Sequence, residues 1–139
     1  TLLNRPENAD PVLEEALSAA PDSPAVLRTC AYSFARRGEQ LDRALTLARS
    51  AAEQAPTDPL AHDVLGWVQF QHGDLEAARR SLQHALDAGP PTARILEHFG
   101  DVQHALGNDS EARTYWRKAL DRAPDRSSLR KKLNDTPTP

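Results

Sequence analysis

The sequence predicts an all-α protein built as a solenoid of antiparallel helix pairs, and two observations carry that prediction. First, Gly66, Gly73, Ala78, Ala85 and Pro90 recur thirty-four places later as Gly100, Gly107, Ala112, Ala119 and Pro124. At the same offset Leu65, Leu82 and Leu86 fall on Phe99, Trp116 and Leu120. A fixed period of this size marks a stack of small units, each packing only on its neighbours. Second, the eleven prolines avoid 25–55, 60–89 and 92–123 altogether. Helix interiors require this, because proline there costs about 3 kcal/mol.

A third copy lies upstream, offset by thirty-five at Ala31 and Gly38 and by thirty-four at Ala44, Ala51 and Pro56. The change of offset puts a one-residue insertion near Gln40, in a turn, where added length costs little.

Each element has its punctuation. Asp10-Pro11, Ser23-Pro24 and Asp58-Pro59 pair a capping side chain with proline at the first helical position. Pro21, Pro56, Pro90 and Pro124 close the helix before. Inside each proline-free interval Gly38, Gly73 or Gly107 supplies the positive φ that ends the first helix of a pair. The predicted helices are 11–20, 25–37, 41–54, 59–72, 75–88, 93–106, 109–122 and a short 127–134. Ser110 and Glu111 are expected to cap the 109–122 helix.

Apolar spacing agrees with these elements. Ala61, Val64, Leu65 and Val68 share one face, and Leu75, Ala78, Leu82, Ala85 and Leu86 share the partner's. Gly66 and Gly100, with Ala31 at their register, lie in helix interiors, where glycine costs up to about 1 kcal/mol relative to alanine. That cost makes sense if another helix crosses closely, with Ala44, Ala78 and Ala112 as its small surface. Cys30, at the register of Leu65 and Phe99, reads as core, as does Trp116 at that of Leu82. Regular proline breaks exclude a coiled coil.

These residues resemble the tetratricopeptide repeat: Leu65-Gly66, Gly73-Asp74, Ala78, Leu82, Ala85-Leu86 and Pro90, and again Phe99-Gly100, Gly107-Asn108, Ala112, Trp116, Ala119-Leu120 and Pro124. The resemblance implies a right-handed α-α superhelix. It divides the chain into a partial repeat at 1–23 holding only the second helix, repeats at 24–58, 59–92 and 93–126, and a capping helix and tail at 127–139. The first full copy departs most, with Ala31 and Ala48 in place of glycine and a large residue, so its packing is expected to be looser. Leu129 and Leu133 would cover the last unit, leaving Arg126, Arg130, Lys131 and Lys132 solvated, with the last three toward the helix C-terminus. The last repeat also resembles terminal units of bacterial members of the family.

Composition and motifs narrow the function. A net charge of -3 and a pI near 5.9 lack the basic excess of a nucleic-acid binder. No apolar run approaches the roughly 20 residues that span a bilayer. One cysteine rules out an internal disulfide and a cysteine-based zinc site. His98 and His104 do not have the i, i+4 spacing of a metal pair, and His62, His72 and His84 are scattered. Glu97, Asp101 and His104 share a face but read as solvated groove residues. No nucleophile elbow or phosphate loop occurs. The expectation is therefore no catalytic residue, no cofactor and no metal.

The resemblance implies instead that the first helices line a concave groove for a protein or peptide partner. Carried over by register, that groove is Arg28, Tyr32, Leu60, Asp63, Trp67, Phe70, Arg94, Glu97, Asp101 and His104. Trp67 beside Phe70 is the expected apolar anchor, with packing inside the array as the other reading of Trp67. Charge would run from basic at Arg28 and Arg36 to acidic at Asp63, Glu97 and Asp101, orienting a partner of opposite polarity. Capture of a chain-terminal carboxylate, as chaperone cofactors perform it, would want asparagines at 32 and 64, where Tyr32 and Val64 stand. The alternative to a binding module is a spacer within a larger bacterial envelope or secretion-associated protein; compartment and oligomeric state stay open.

Overall fold

The computed structural model describes residues 11–38 and 40–137, and among these it contains eight α-helices and no strand. They are α1 Pro11–Ala19, α2 Pro24–Arg36, α3 Leu41–Gln54, α4 Pro59–His72, α5 Leu75–Asp87, α6 Ala93–Ala105, α7 Asp109–Arg122 and α8 Ser127–Asp135.

Local chemistry sets the ends. Ser23 accepts from the Val26 N–H at 3.4 Å ahead of Pro24, and Asp58 accepts from the Leu60 N–H at 3.0 Å ahead of Pro59. Thr92 caps α6 through the Ile95 N–H at 3.3 Å. Asp10, the third expected cap, lies outside the described residues. Gly73 and Gly107 end their helices at φ 93 and 86. The extra residue of the first turn surfaces at Gln40, a non-glycine at φ 50 whose side chain accepts from Arg43 at 3.2 Å.

One cap differs from expectation. α7 starts at Asp109 with Asn108 in the cap position, and Asn108 turns its amide to Gln103 Oε1 at 2.9 Å rather than to the helix. Ser110 and Glu111 lie inside the first turn, because the turn after Gly107 is only one residue long. Asp109 and Glu111 there still favour the positive end of the helix dipole.

The helices pair as α2–α3, α4–α5 and α6–α7, while α2, α4 and α6 also touch in sequence and α8 closes on α7. The interior glycines have a steric cause. A β-carbon on Gly66 would lie 2.6 Å from Leu82 Cγ and 3.2 Å from the Ala78 carbonyl; on Gly100 it would lie 2.5 Å from Trp116 Cδ1 and 3.2 Å from the Ala112 carbonyl. The first pair reaches the same fit with Ala31 and Ala48, both fully buried.

That pair departs from the others in which helix carries the large side chain. Phe34, 1% exposed at the register of Gln69 and Gln103, shares a buried cluster with Ala44, Leu45, Ala48, Val64 and Val68. Phe34, on the facing helix, fills part of the volume lost at Ala48. Cys30 is buried in that cluster. A two-pronged ion pair between Arg43 and Glu14 ties α1 to α3. At the other end Leu129 of α8 packs with Leu96, Ala112, Trp116 and Ala119, and Arg113 donates to the carbonyls of Leu133 and Thr136.

Candidate binding groove

The first helices lie side by side, so side chains four residues apart on each become neighbours across three helices. Asp63 and Trp67 come from α4, Arg94 and His98 from α6, and Arg28 and Tyr32 from α2. Tyr32 and Trp67 stack with ring centroids 4.8 Å apart, and His98 lies 6.1 Å from Trp67. Asp63, with no exposed surface, is hydrogen-bonded to His98 Nδ1 at 2.7 Å and ion-paired with Arg94 Nε at 3.1 Å. The Arg94 guanidinium rests 4.4 Å above the Tyr32 ring. The five side chains close a circuit from Asp63 through Arg94, Tyr32, Trp67 and His98 back to Asp63.

The arrangement recurs one unit on. Glu97 is 6% exposed and accepts from Ser128 at 2.9 Å and Lys132 at 3.0 Å, with Arg126 Nε at 3.3 Å. Ser128 and Lys132 hold the registers of Arg94 and His98, so α8 stands where a further first helix would stand. Asp101 accepts from Lys132 at 2.9 Å and from Trp116 Nε1 at 3.0 Å.

The two carboxyls respond oppositely. Burial opposes ionisation of Glu97, but the hydrogen bonds and charges of Lys132, Ser128 and Arg126 outweigh it and lower its pKa. Burial dominates at Asp101, and with the Glu97 charge it raises the pKa despite Lys132. The lowered Glu97 pKa stabilises the fold above the usual carboxylate range, and that contribution fades as pH falls through it. The raised Asp101 pKa works the other way, so the two partly cancel. Asp101→Asn is expected to remove the opposing part. Urea midpoints should then rise more steeply with pH between about 3.5 and 5 than in the wild type; an unchanged slope would contradict the assignment.

These contacts correct the expected charge gradient. Asp63 and Glu97 are buried and partnered rather than solvated, so the acidic end of the groove is internally neutralised. Arg94 and His98 are likewise engaged by Asp63. Phe70 does not join Trp67: it packs on the cluster of Ala78, Leu82, Phe99 and Val102. His104 pairs with Asp109 at 2.7 Å and lies 5.5 Å from the Trp116 ring. Leu60 stays exposed. Arg28 is half-buried, its Nε covered and without a hydrogen-bond partner among the described residues. Trp67 is half-buried against the Phe34 cluster, so part of the ring packs inside the array.

The sequence reading missed His98, Ser128 and Lys132 as participants. The signal was present in the recurring separations of 31 and 35 residues from the buried acids. The structure also brings His62 and His84 together, stacked at 5.4 Å, although they lie far apart in sequence.

The family model described as Tetratricopeptide repeat matches residues 64–127. The fold agrees with a crystal structure of TTC0263, a thermophilic TPR protein of Thermus thermophilus, at a TM-score of 0.75 and 23% identity, over 91% of this chain and 72% of that one. Residues 64–127 belong to the tetratricopeptide repeat family, and the described chain has that fold. YrrB, described as a TPR protein with an unusual peptide-binding site, superposes with a TM-score of 0.71 at 19% identity, covering 86% of this chain and 61% of its own. Among curated sequences, the TPR repeat-containing protein PA4667 of Pseudomonas aeruginosa is 33% identical over 85 residues, 61% of this chain. Human protein O-mannosyl-transferase TMTC1 is 29% identical over 102 residues, 68% of this chain. The chain spans only 14% and 11% of the lengths of these two relatives. Tetratricopeptide folds mediate protein–protein interaction, and as scaffolds they are typically non-catalytic. Among the described residues of this repeat protein, no helix is long and apolar enough to cross a membrane.

Proposed function

We propose that this tetratricopeptide protein is a non-catalytic binding module that receives a segment of a partner protein along α2, α4 and α6. The strip formed by Tyr32, Trp67 and His98 carries the reading. It stacks the half-buried Tyr32 and Trp67 rings of α2 and α4, with His98 of α6 beside Trp67, and rings already held rigid lose little freedom on binding. Trp and Tyr are also the side chains that dominate interface energies. The groove carboxylates are held by cations, hydroxyls or the Trp116 indole, which favours structural roles for them over catalysis.

The test is affinity capture with the wild type and with Trp67→Ala. Ring removal is expected to weaken the specific partner about tenfold or more while the helical spectrum persists. Equal capture by both proteins would remove Trp67 from the interface. Absence of any specific partner would favour the spacer reading.

A further inference from the structure

The first helices carry a charge ladder with one inverted rung. At a single register stand Arg28, Asp63 and Glu97. Each of the two acids is held by the next first helix, Asp63 by Arg94 and His98, Glu97 by Ser128 and Lys132. For Arg28 the same two registers on α4 are Leu60 and Val64. Neither carries charge, so the rung at Arg28 has the opposite sign and no counter-ion on α4. The structure agrees locally: the Nε atoms of Arg28 and Arg94 are both covered and without a hydrogen bond among the described residues, but Arg94 has the Asp63 ion pair and Arg28 has none there, and Leu60 is 37% exposed. A buried donor without an acceptor is costly, and a carboxylate satisfies a guanidinium through two parallel hydrogen bonds.

We infer that Arg28 takes an acidic side chain of the bound partner segment, whose apolar neighbour lies on Leu60. The inference rests on the groove reading above and specifies its partner as a segment with Asp or Glu beside an aliphatic or aromatic residue. A side-chain carboxylate fits better than a chain terminus. Arg94 and His98, the further basic groups with which the groove could grip a terminus, are already committed to Asp63. Tyr32, one turn beyond Arg28 on α2, leads from the charge to Trp67, so one segment can reach both.

A displayed library of random linear peptides, selected on the wild type, is the probe. Enriched peptides are expected to carry Asp or Glu, to bind Arg28→Glu about tenfold or more weakly, and to keep their affinity when C-terminally amidated. Peptides that need Trp67 but bind Arg28→Glu as well as wild type would leave the groove reading standing and overturn the role of Arg28. Loss of binding on amidation would overturn the side-chain assignment. Failure to enrich any peptide would sink both readings. A measurement without ligand checks the ladder itself: Leu60→Glu supplies the missing acid in cis. It is expected to raise the melting temperature more in the wild type than in an Arg28→Ala background, and to weaken the selected peptides. Equal shifts in the two backgrounds would contradict the register argument.

Discussion

Trp116→Ala is expected to destabilise the protein by about 3–5 kcal/mol, the range for truncating a buried large aromatic. Trp116 is 2% exposed, packs with Leu96, Ala112, Ala119 and Leu129, and donates its indole N–H to Asp101. Its removal therefore opens a cavity and leaves Asp101 with one partner fewer. The more informative measurement is the cycle with Gly100. In the wild type, Gly100→Ala sets a β-carbon 2.5 Å from Trp116 Cδ1. An indole has no flexible end to move aside, and the expected cost is about 1–3 kcal/mol. In the Trp116→Ala background the same change relieves glycine's helix penalty and should turn neutral or stabilising by up to about 1 kcal/mol. The first pair already uses that combination, Ala31 with Ala48. Denaturant unfolding of the four proteins reads the sign change, and additive effects would contradict the steric account.

The double substitution Arg94→Ala with His98→Ala is expected to cost about 3–5 kcal/mol, because it strands a wholly buried carboxylate at Asp63. Either substitution alone should cost less, since the remaining partner still serves Asp63. Adding Asp63→Leu to the double variant should recover much of the loss, as an apolar residue asks for no counter-ion. Thermal melts of the series decide it. If the triple variant is no more stable than the double, the damage comes from the lost Tyr32 and Trp67 contacts rather than from the charge.

These two sites show how much was legible beforehand. The glycine positions were readable because a backbone crossing leaves a local trace: a helix interior that tolerates glycine at a fixed interval, matched by alanine on the partner. The helices were readable for the same reason, since caps, prolines and turn glycines act within a few residues. The groove was legible only as a set of registers. Tyr32 and Trp67 were correctly placed on the same face of successive helices, but the fate of Asp63 and Glu97 was not visible. Their registers suggested the acidic end of a groove; their surroundings make them buried anchors. Phe70 is the converse, an aromatic assigned to the groove that the packing draws toward Leu82 and Phe99. Phe34 and Ala48 make the same point in the core, where a small residue on one helix shares a buried cluster with a large one on another.

The sequence by itself determined that the chain is an array of paired helices, where each helix begins and ends, and which residues return at equivalent places. Those properties follow from short-range sterics and capping, repeated at a constant interval. Only the tertiary structure decided which charges are buried and cancelled. A charge's worth depends on burial and on partners more than thirty residues away, and side-chain packing between helices sets both.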